Sequence, residues 1–413
     1  MTPKTSLSEV WRSYLGEVTV SCDSYSYPVE VAEVLAKQFS PSSSDVNRRE
    51  KLWMIKENPD YHKNVEWLNG DLSQKGLNLS SEDLKAVEDA EIVLHMGSSL
   101  NFKDPMRKVL QTNLFGTMDL LEILKNSHNC KCFMMVSSAY SQCTKCCNHI
   151  EEKVYIPNYR PESLIELVDS FPAEVLDSLE KHFMYDWPNA YTFTKSIIEY
   201  ASNDYANCFP VGIFRPGNIT SSYLEPFPYW SNSNSGILGA INLLSTNLVS
   251  SFYLKKDVNS HSIPVDLTTN ALLASACQVA QDKKKVAQVY NYTSNDNPVS
   301  IYEAVSYALG ESSEKILTEN YYLHKLKHYS ITCSRALLSD LMLIANGHKP
   351  RYISLSSNCN KFNEALHYFI NAKLIVDNSN MEKLWNKLSK DERDLLYFDI
   401  FSKLQKGVAN PIK

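Results

Sequence analysis

Short apolar runs alternate with amphipathic helical patterns through the first two-thirds of this 413-residue chain. That alternation constrains the fold more than any other feature. Val18–Ser21 reads as a strand and Val29–Gln38 as a helix. Val65–Leu68 is a strand running into Gly70, Asp71 and Leu72, and Ser81–Glu88 is a short helix with Ser80 and Asp83 as cap residues. Strand Glu91–His95, helix Met106–Lys125, strand Cys132–Ser137, helix Asn189–Cys208 and strand Val211–Phe214 follow. Strands that alternate with helices predict an α/β fold, doubly wound around a mostly parallel sheet. From about Pro298 helical patterns dominate. The expected organisation is an α/β domain over 1–297, a helical connection over 298–349 and a small helical domain over 350–413. In that last part, Phe362–Ala372, Met381–Leu388 and Asp391–Phe401 read as helices.

Composition excludes several classes of function. Lys plus Arg is 41 and Asp plus Glu is 47, a net charge of −6 without a long basic run. Nothing in that balance attracts nucleic acid. The N-terminal Met1–Glu9 lacks the apolar core of a signal peptide, so the ten cysteines are expected to be reduced thiols. Cys143, Cys146, Cys147 and His149 form the tightest cluster, but no second ligand pair follows, so it reads as a reduced surface loop and no metal is expected. No run reaches the roughly 18 apolar residues of a membrane helix. Ala336–Ala345, interrupted by Asp340, reads as a buried helix or a membrane-surface segment. The expected location is the cytosolic face or the periphery of a membrane, and the last residues are not of the Ser-Lys-Leu peroxisomal type.

Four features gather at the expected carboxyl ends of the strands, where open α/β sheets bind ligands. Tyr191 and Lys195, four residues apart on a helix, face the same side. A lysine there is expected to lower the tyrosine pKa and to hold a ribose, and the tyrosine to protonate a carbonyl oxygen. Ser138, just after the strand Cys132–Ser137, offers a hydroxyl to the same oxygen. Asn113 and Gly116 are poor mid-helix choices, which points to a site or packing reason. Arg215-Pro216 reads as a sharp stop at the sheet edge. Tyr321 and Lys325 repeat the Tyr–Lys spacing and read as a chance match.

With these residues in place, the chain resembles the extended short-chain dehydrogenase/reductase superfamily, and within it the alcohol-forming fatty acyl-CoA reductases of animals. Asn69–Leu72, His95–Phe102, Asn113–Thr117, Val136–Ser141, Ile150–Tyr155, Asp186–Lys195, Phe214–Pro216, Glu225–Trp230 and Ile263–Asp266 carry the match. Phe362–Phe369, Asp377-Asn378, Leu384-Trp385 and Phe398–Ile400 resemble the small helical domain that ends those reductases. The resemblance implies a Rossmann-like sheet, NADPH as cofactor and long-chain acyl-CoA as substrate, reduced to an aldehyde and then a primary alcohol. It implies Ser138, Tyr191, Lys195 and Asn113 as catalytic, Asn113 bracing the proton path. Asp71, Leu72, Asn113, Tyr191, Lys195 and Pro216 become cofactor contacts, Asp71 facing the adenine and Pro216 flanking the nicotinamide. The turn Glu225–Trp230 becomes the acyl or CoA entrance, and a peroxisomal or endoplasmic-reticulum membrane the location.

One stretch departs from the family pattern. The first strand of such a sheet leads into Gly-x-x-Gly-x-x-Gly, whose glycines admit the pyrophosphate and the helix behind it. Here Cys22, Tyr25 and Pro28 occupy the three positions. The chain holds 12 glycines, about 3% against a usual value of about 7%. The segment between Leu35 and Leu52 is also short of a strand, and Arg48 and Arg49 are the candidates there for contact with a 2′-phosphate. Three readings follow: an NADPH-dependent acyl-CoA reductase; an impaired or inactive relative that binds acyl-CoA or a partner protein; or another enzyme of the superfamily acting on a nucleotide sugar or steroid. The Glu225–Trp230 turn and the C-terminal helices count against the third.

Overall fold

The computed structural model describes residues 68–100, 104–144, 148–184, 187–231, 244, 250–298, 300–310, 313–369 and 371–402. The expected strand Val18–Ser21, helix Val29–Gln38, loop Cys22–Pro28, residues 65–67, Arg48, Arg49, Cys146 and Cys147 lie outside them.

Among the described residues, four parallel strands form the central sheet: β1 (Ile92–His95), β2 (Cys132–Val136), β3 (Val211–Pro216) and β4 (Gln288–Tyr292), in the order β1-β2-β3-β4. Their side chains alternate between two cores, as a pleated strand requires. Cys132, Met134, Val136, Phe214, Tyr290 and Tyr292 face one core. Phe133, Met135, Val211, Ile213 and Val289 face the other. With both faces covered, β2 and β3 are buried at every position, which is why β2 and the 211–214 stretch of β3 read as apolar runs.

Helices fill both faces. The chain from 106 to 125 is helical throughout: α2 (Met106–Val109), a π-helical segment Leu110–Phe115 and α3 (Gly116–Lys125). It follows α1 (Ser81–Glu88), whose N-cap Ser80 accepts the Asp83 N–H as expected. α4 (Pro161–Ser170), α5 (Ala173–Phe183) and α6 (Ala190–Asp204) join β2 to β3 on the same face as α3. α7 (Val265–Asp282) lies on the opposite face.

The expected stop at Arg215-Pro216 falls at Pro216, where β3 ends two residues beyond the expected Phe214. β3 runs through both residues, Pro216 pairs with Tyr292, and the chain continues into Asn218–Thr220, which pairs with Ser262–Pro264.

Further helices are α8 (Ile301–Leu309), α9 (Tyr321–Lys327), α10 (Cys333–Ala345), α11 (Tyr352–Leu366), α12 (Ser379–Lys387) and α13 (Lys390–Leu395). α11 begins ten residues before the expected Phe362 and ends at Leu366, and α13 stops at Leu395, short of the expected Phe401. The residues beyond α13 turn inward instead. Met381, Leu384, Trp385, Phe398 and Ile400 join α7 in the core on one face of the sheet. Tyr292 Oη donates to the Phe398 carbonyl at 2.9 Å, and Asn291 Nδ2 to the Asp377 carbonyl at 2.7 Å.

α10 is not the buried helix that its apolar sequence allowed. Ala336 and Asp340 face inward, while Leu337, Leu338, Leu341, Met342 and Ile344 are exposed. Asp340 is explained by its partners: its carboxylate accepts the backbone N–H groups of Arg351, Tyr352 and Ile353 at 2.7–2.9 Å, the orphan donors at the start of α11. Cys143, expected in a surface loop, is buried beside Tyr140, Ile150 and Val376. It is a free thiol.

Candidate active site

The site forms at the carboxyl edge of the sheet, where β2 and α6 meet. Asn189 caps α6 by accepting the Thr192 N–H at 2.9 Å, which fixes where the helix begins. Tyr191 therefore stands in the first turn and Lys195 one turn later, on the same side. Ser138 follows β2 on a turn in which its Oγ accepts the Tyr140 N–H at 3.2 Å. The Ser138 and Tyr191 hydroxyls hydrogen-bond to each other. Lys195 Nζ lies 5.9 Å from the Tyr191 ring centroid and donates to the Val136 carbonyl at 2.8 Å.

Burial dominates the electrostatics. It raises the Tyr191 pKa; the Ser138 hydrogen bond opposes this and the Glu199 charge adds to it. The expectation that Lys195 lowers this pKa is corrected: the tyrosine is held as a neutral phenol because desolvation outweighs its neighbours. Burial also pushes Lys195 down to about 8, against the Glu199 charge that holds it up. His95, at the end of β1, is pushed down to about 3 by burial and then by Lys195, so it is neutral. Its Nε2 meets Thr117 Oγ1 at 2.8 Å.

Asn113 sits in the π-helical segment and is buried. Its Oδ1 accepts the Ser99 N–H at 2.7 Å and its Nδ2 donates to Thr194 Oγ1 at 3.3 Å. It thereby ties the loop after β1 to the residue before Lys195. π-Segments inside helices are frequent at functional sites. Gly116 answers the packing question. A Cβ there would stand 2.5 Å from the Leu72 carbonyl oxygen, so the helix approaches the 68–72 backbone only as glycine. Leu72 itself is buried in the core. Asp71 turns its Oδ1 to the Ser73 N–H and hydroxyl, at 2.8 and 2.7 Å. Pro216 is buried at the end of β3, and its carbonyl accepts the Ala139 N–H at 2.9 Å. The structure thus gathers Ser138, Tyr191, Lys195 and Asn113 at one edge, with Pro216 on the adjoining strand.

Two buried residues of this region, His95 and Glu199, went unrecognised in the sequence as parts of the site, and Arg215 was read there only as a stop at the sheet edge. The four-residue step from Lys195 to Glu199 is the signal that could have found the second. The turn Glu225–Trp230 is held by Asp266, whose carboxylate accepts the N–H groups of Tyr223, Leu224 and Glu225 at 2.8–3.0 Å. Leu224, Phe227 and Tyr229 remain exposed on it. Tyr321 and Lys325 stand away from this edge on α9, where Lys325 pairs with Glu364 at 2.6 Å.

A sequence model of the family described as "Male sterility protein" matches residues 37–272, more than half of the chain. A second model of the same description matches residues 333–404. Over 356 residues the chain is 29% identical to "Fatty acyl-CoA reductase wat" of Drosophila melanogaster, covering 83% of this chain and 68% of that protein. It is 27% identical over 360 residues to "Fatty acyl-CoA reductase 1" of Homo sapiens, covering 83% and 69%. Among solved structures, the terminal R domain from the myxalamid PKS-NRPS biosynthetic pathway aligns with a TM-score of 0.56 at 16% identity, over 86% of this chain and 81% of that one. That last likeness is one of fold. Matched both across its α/β part and along its C-terminal helices, this chain belongs to the male sterility protein family, the family of the fatty acyl-CoA reductases.

Proposed function

We propose that the protein reduces long-chain fatty acyl-CoA to fatty alcohol with NADPH. The observation that carries this reading is the Ser138–Tyr191 hydroxyl pair beside the buried Lys195 ammonium at the sheet's carboxyl edge. Two hydroxyls that meet at one point can both turn to a substrate carbonyl oxygen. Tyr191, held neutral, carries the proton that oxygen needs, and Ser138 polarises the carbonyl.

The residues fit a nicotinamide nucleotide. Among the described residues Lys195 Nζ has one hydrogen-bond acceptor, the Val136 carbonyl, which leaves two of its three N–H donors for ribose hydroxyls. Pro216 would flank the nicotinamide, and Asp71 and Leu72 would lie toward the adenine. When bound, the nucleotide supplies the hydride. Asn113 holds the Ser99 loop and Thr194 in place, which keeps Lys195 in register with Ser138.

The alternative is a relative that binds acyl-CoA or a partner protein without reducing it, and one observation favours it. Cys22, Tyr25 and Pro28 stand where the glycines of the phosphate loop are expected, and a side chain there opposes the approach of pyrophosphate to the backbone. NADPH titration by fluorescence separates the two readings. Reduction requires saturable binding below about millimolar cofactor, roughly −4 kcal/mol, together with fatty alcohol formed from palmitoyl-CoA. The triple variant C22G/Y25G/P28G is expected to tighten NADPH binding. A chain that binds no NADPH at millimolar concentration is not a reductase.

Peripheral contact with a lipid surface forms part of this reading. No described helix is long and apolar enough to cross a membrane. At 100° per residue, the exposed Leu337, Leu338, Leu341, Met342 and Ile344 span an arc of about 160° on α10. Residues 321–353 carry five Lys or Arg and one carboxylate, Asp340, which is buried at the start of α11. An apolar face rimmed by positive charge suits an anionic bilayer surface. The protein is expected to float with vesicles containing anionic phospholipid, and L341E/M342E to remain behind. Equal flotation of the two proteins would exclude this face.

A further inference from the structure

Glu199 lies on α6 one turn beyond Lys195 and is fully buried, as is Arg215. The two form a forked pair: Arg215 Nε donates to Oε1 at 2.9 Å and Nη2 to Oε2 at 2.7 Å. The same carboxylate accepts three further hydrogen bonds, from the Ser137 hydroxyl, from the Ser141 hydroxyl at 2.7 Å and from Gln142 Nε2 at 2.8 Å. Arg215 in turn donates to the Glu151 and Lys153 carbonyls at 3.0 and 2.9 Å. One carboxylate thus grips the turn that carries Ser138 from both sides, at Ser137 before it and at Ser141 and Gln142 after it. It does so from the helix that carries Tyr191 and Lys195.

From this arrangement we infer that Glu199 is a positioning residue, which sets the Ser138 hydroxyl against Tyr191 and Lys195. Stability alone explains the knot poorly. A buried ion pair is often no more stable than apolar residues of the same volume. What five directed hydrogen bonds add is geometry, since a carboxylate with donors on both oxygens has one place to sit. The Glu199 charge also faces the pair it positions. The groups around Lys195 are Tyr191 and Glu199 on α6, the neutral His95 from β1 and the Val136 carbonyl from β2. Arg215 from β3 is neutralised by Glu199. Loss of the carboxylate charge leaves Arg215 uncompensated and removes what holds the Lys195 proton.

The inference rests on the reductase reading, and its test uses the full chain with NADPH and palmitoyl-CoA. E199Q is expected to lower kcat by roughly tenfold to a hundredfold, the scale of an ångström-level misplacement, with KM little changed. The alkaline limb of its pH–rate profile, set by Lys195 near 8 in the wild type, is expected to move to lower pH. E199D keeps the charge, so it is expected to restore the limb and only part of kcat. S141A, which leaves the ion pair in place, is expected to lower kcat severalfold with the limb unmoved. Wild-type kcat and limb in E199Q would overturn the inference, whatever its melting temperature. If E199Q does not fold, wild-type kcat in both S141A and Q142A overturns it.

A wild type that turns nothing over has failed as a reductase, and melting temperature against pH then decides. Lys195 is depressed in the fold, so stability is expected to rise with pH from about 8 toward the unfolded lysine value of about 10.4. In E199Q the rise is expected to begin at lower pH, and the difference to vanish when both proteins also carry K195M. Superimposable curves for wild type and E199Q would overturn the inference.

Discussion

Tyr191→Phe is expected to lower kcat for acyl-CoA reduction by about 10²–10⁴-fold, the usual scale for a lost general acid. The substitution keeps the ring, its packing and its place beside Lys195, and removes only the hydroxyl that meets Ser138. NADPH affinity should therefore change little, because the Lys195 donors remain. The measurement is steady-state NADPH oxidation with palmitoyl-CoA, together with cofactor binding on the same preparation. A Y191F protein with kcat within fivefold of wild type would remove the tyrosine from the chemistry. Loss of cofactor binding in Y191F would give the hydroxyl a different role, in holding the nucleotide.

The second large effect concerns the fold. Phe398 is fully buried, with its ring 5.0 Å from Trp385 and 6.2 Å from Tyr292. Truncating such a side chain removes apolar contact and leaves a cavity. Phe398→Ala is expected to cost about 3–5 kcal/mol, a large part of the roughly 5–15 kcal/mol that holds a domain together. A drop in the urea midpoint measures it. Phe227→Ala, at a ring 49% exposed, is expected to stay within about 0.5 kcal/mol. Equal midpoints for the two variants would show that the 396–400 segment contributes nothing to the sheet's core.

The contrast between Phe398 and its sequence context shows what was legible beforehand. β2 and the 211–214 stretch of β3 were readable because both faces are covered, so each is free of polar side chains. Ser81–Glu88 was readable because its cap is local chemistry, one serine and one backbone N–H. β4 escaped notice because Gln288 and Asn291 break its apolar run, and the burial of Asn291 depends on the Asp377 carbonyl and on Glu152. The inward turn after α13 was invisible for a similar reason: Phe398–Ile400 fits a helical pattern until the uncovered face of the sheet is known.

The site divides in the same way. Tyr191, Lys195, Ser138 and Asn113 were found by spacing and by their place after strands. Glu199 was not, since a glutamate on a helix usually marks the solvent side, and Arg215 was placed at the sheet edge without its ion pair. The direction of the Tyr191 pKa shift was misjudged because burial, its largest cause, is a property of the assembled fold.

The Tyr292–Phe398 hydrogen bond joins residues 106 positions apart in the chain. During synthesis the strand emerges well before the segment that covers it. At typical elongation rates that interval is roughly 5–20 s, far longer than collapse of a domain-sized chain. Throughout it, Met134, Phe214 and Tyr290 lack part of their cover, a patch of the kind that chaperones recognise. The nascent protein is therefore expected to depend on such a holder, and its yield to be most sensitive to changes between Met381 and Ile400.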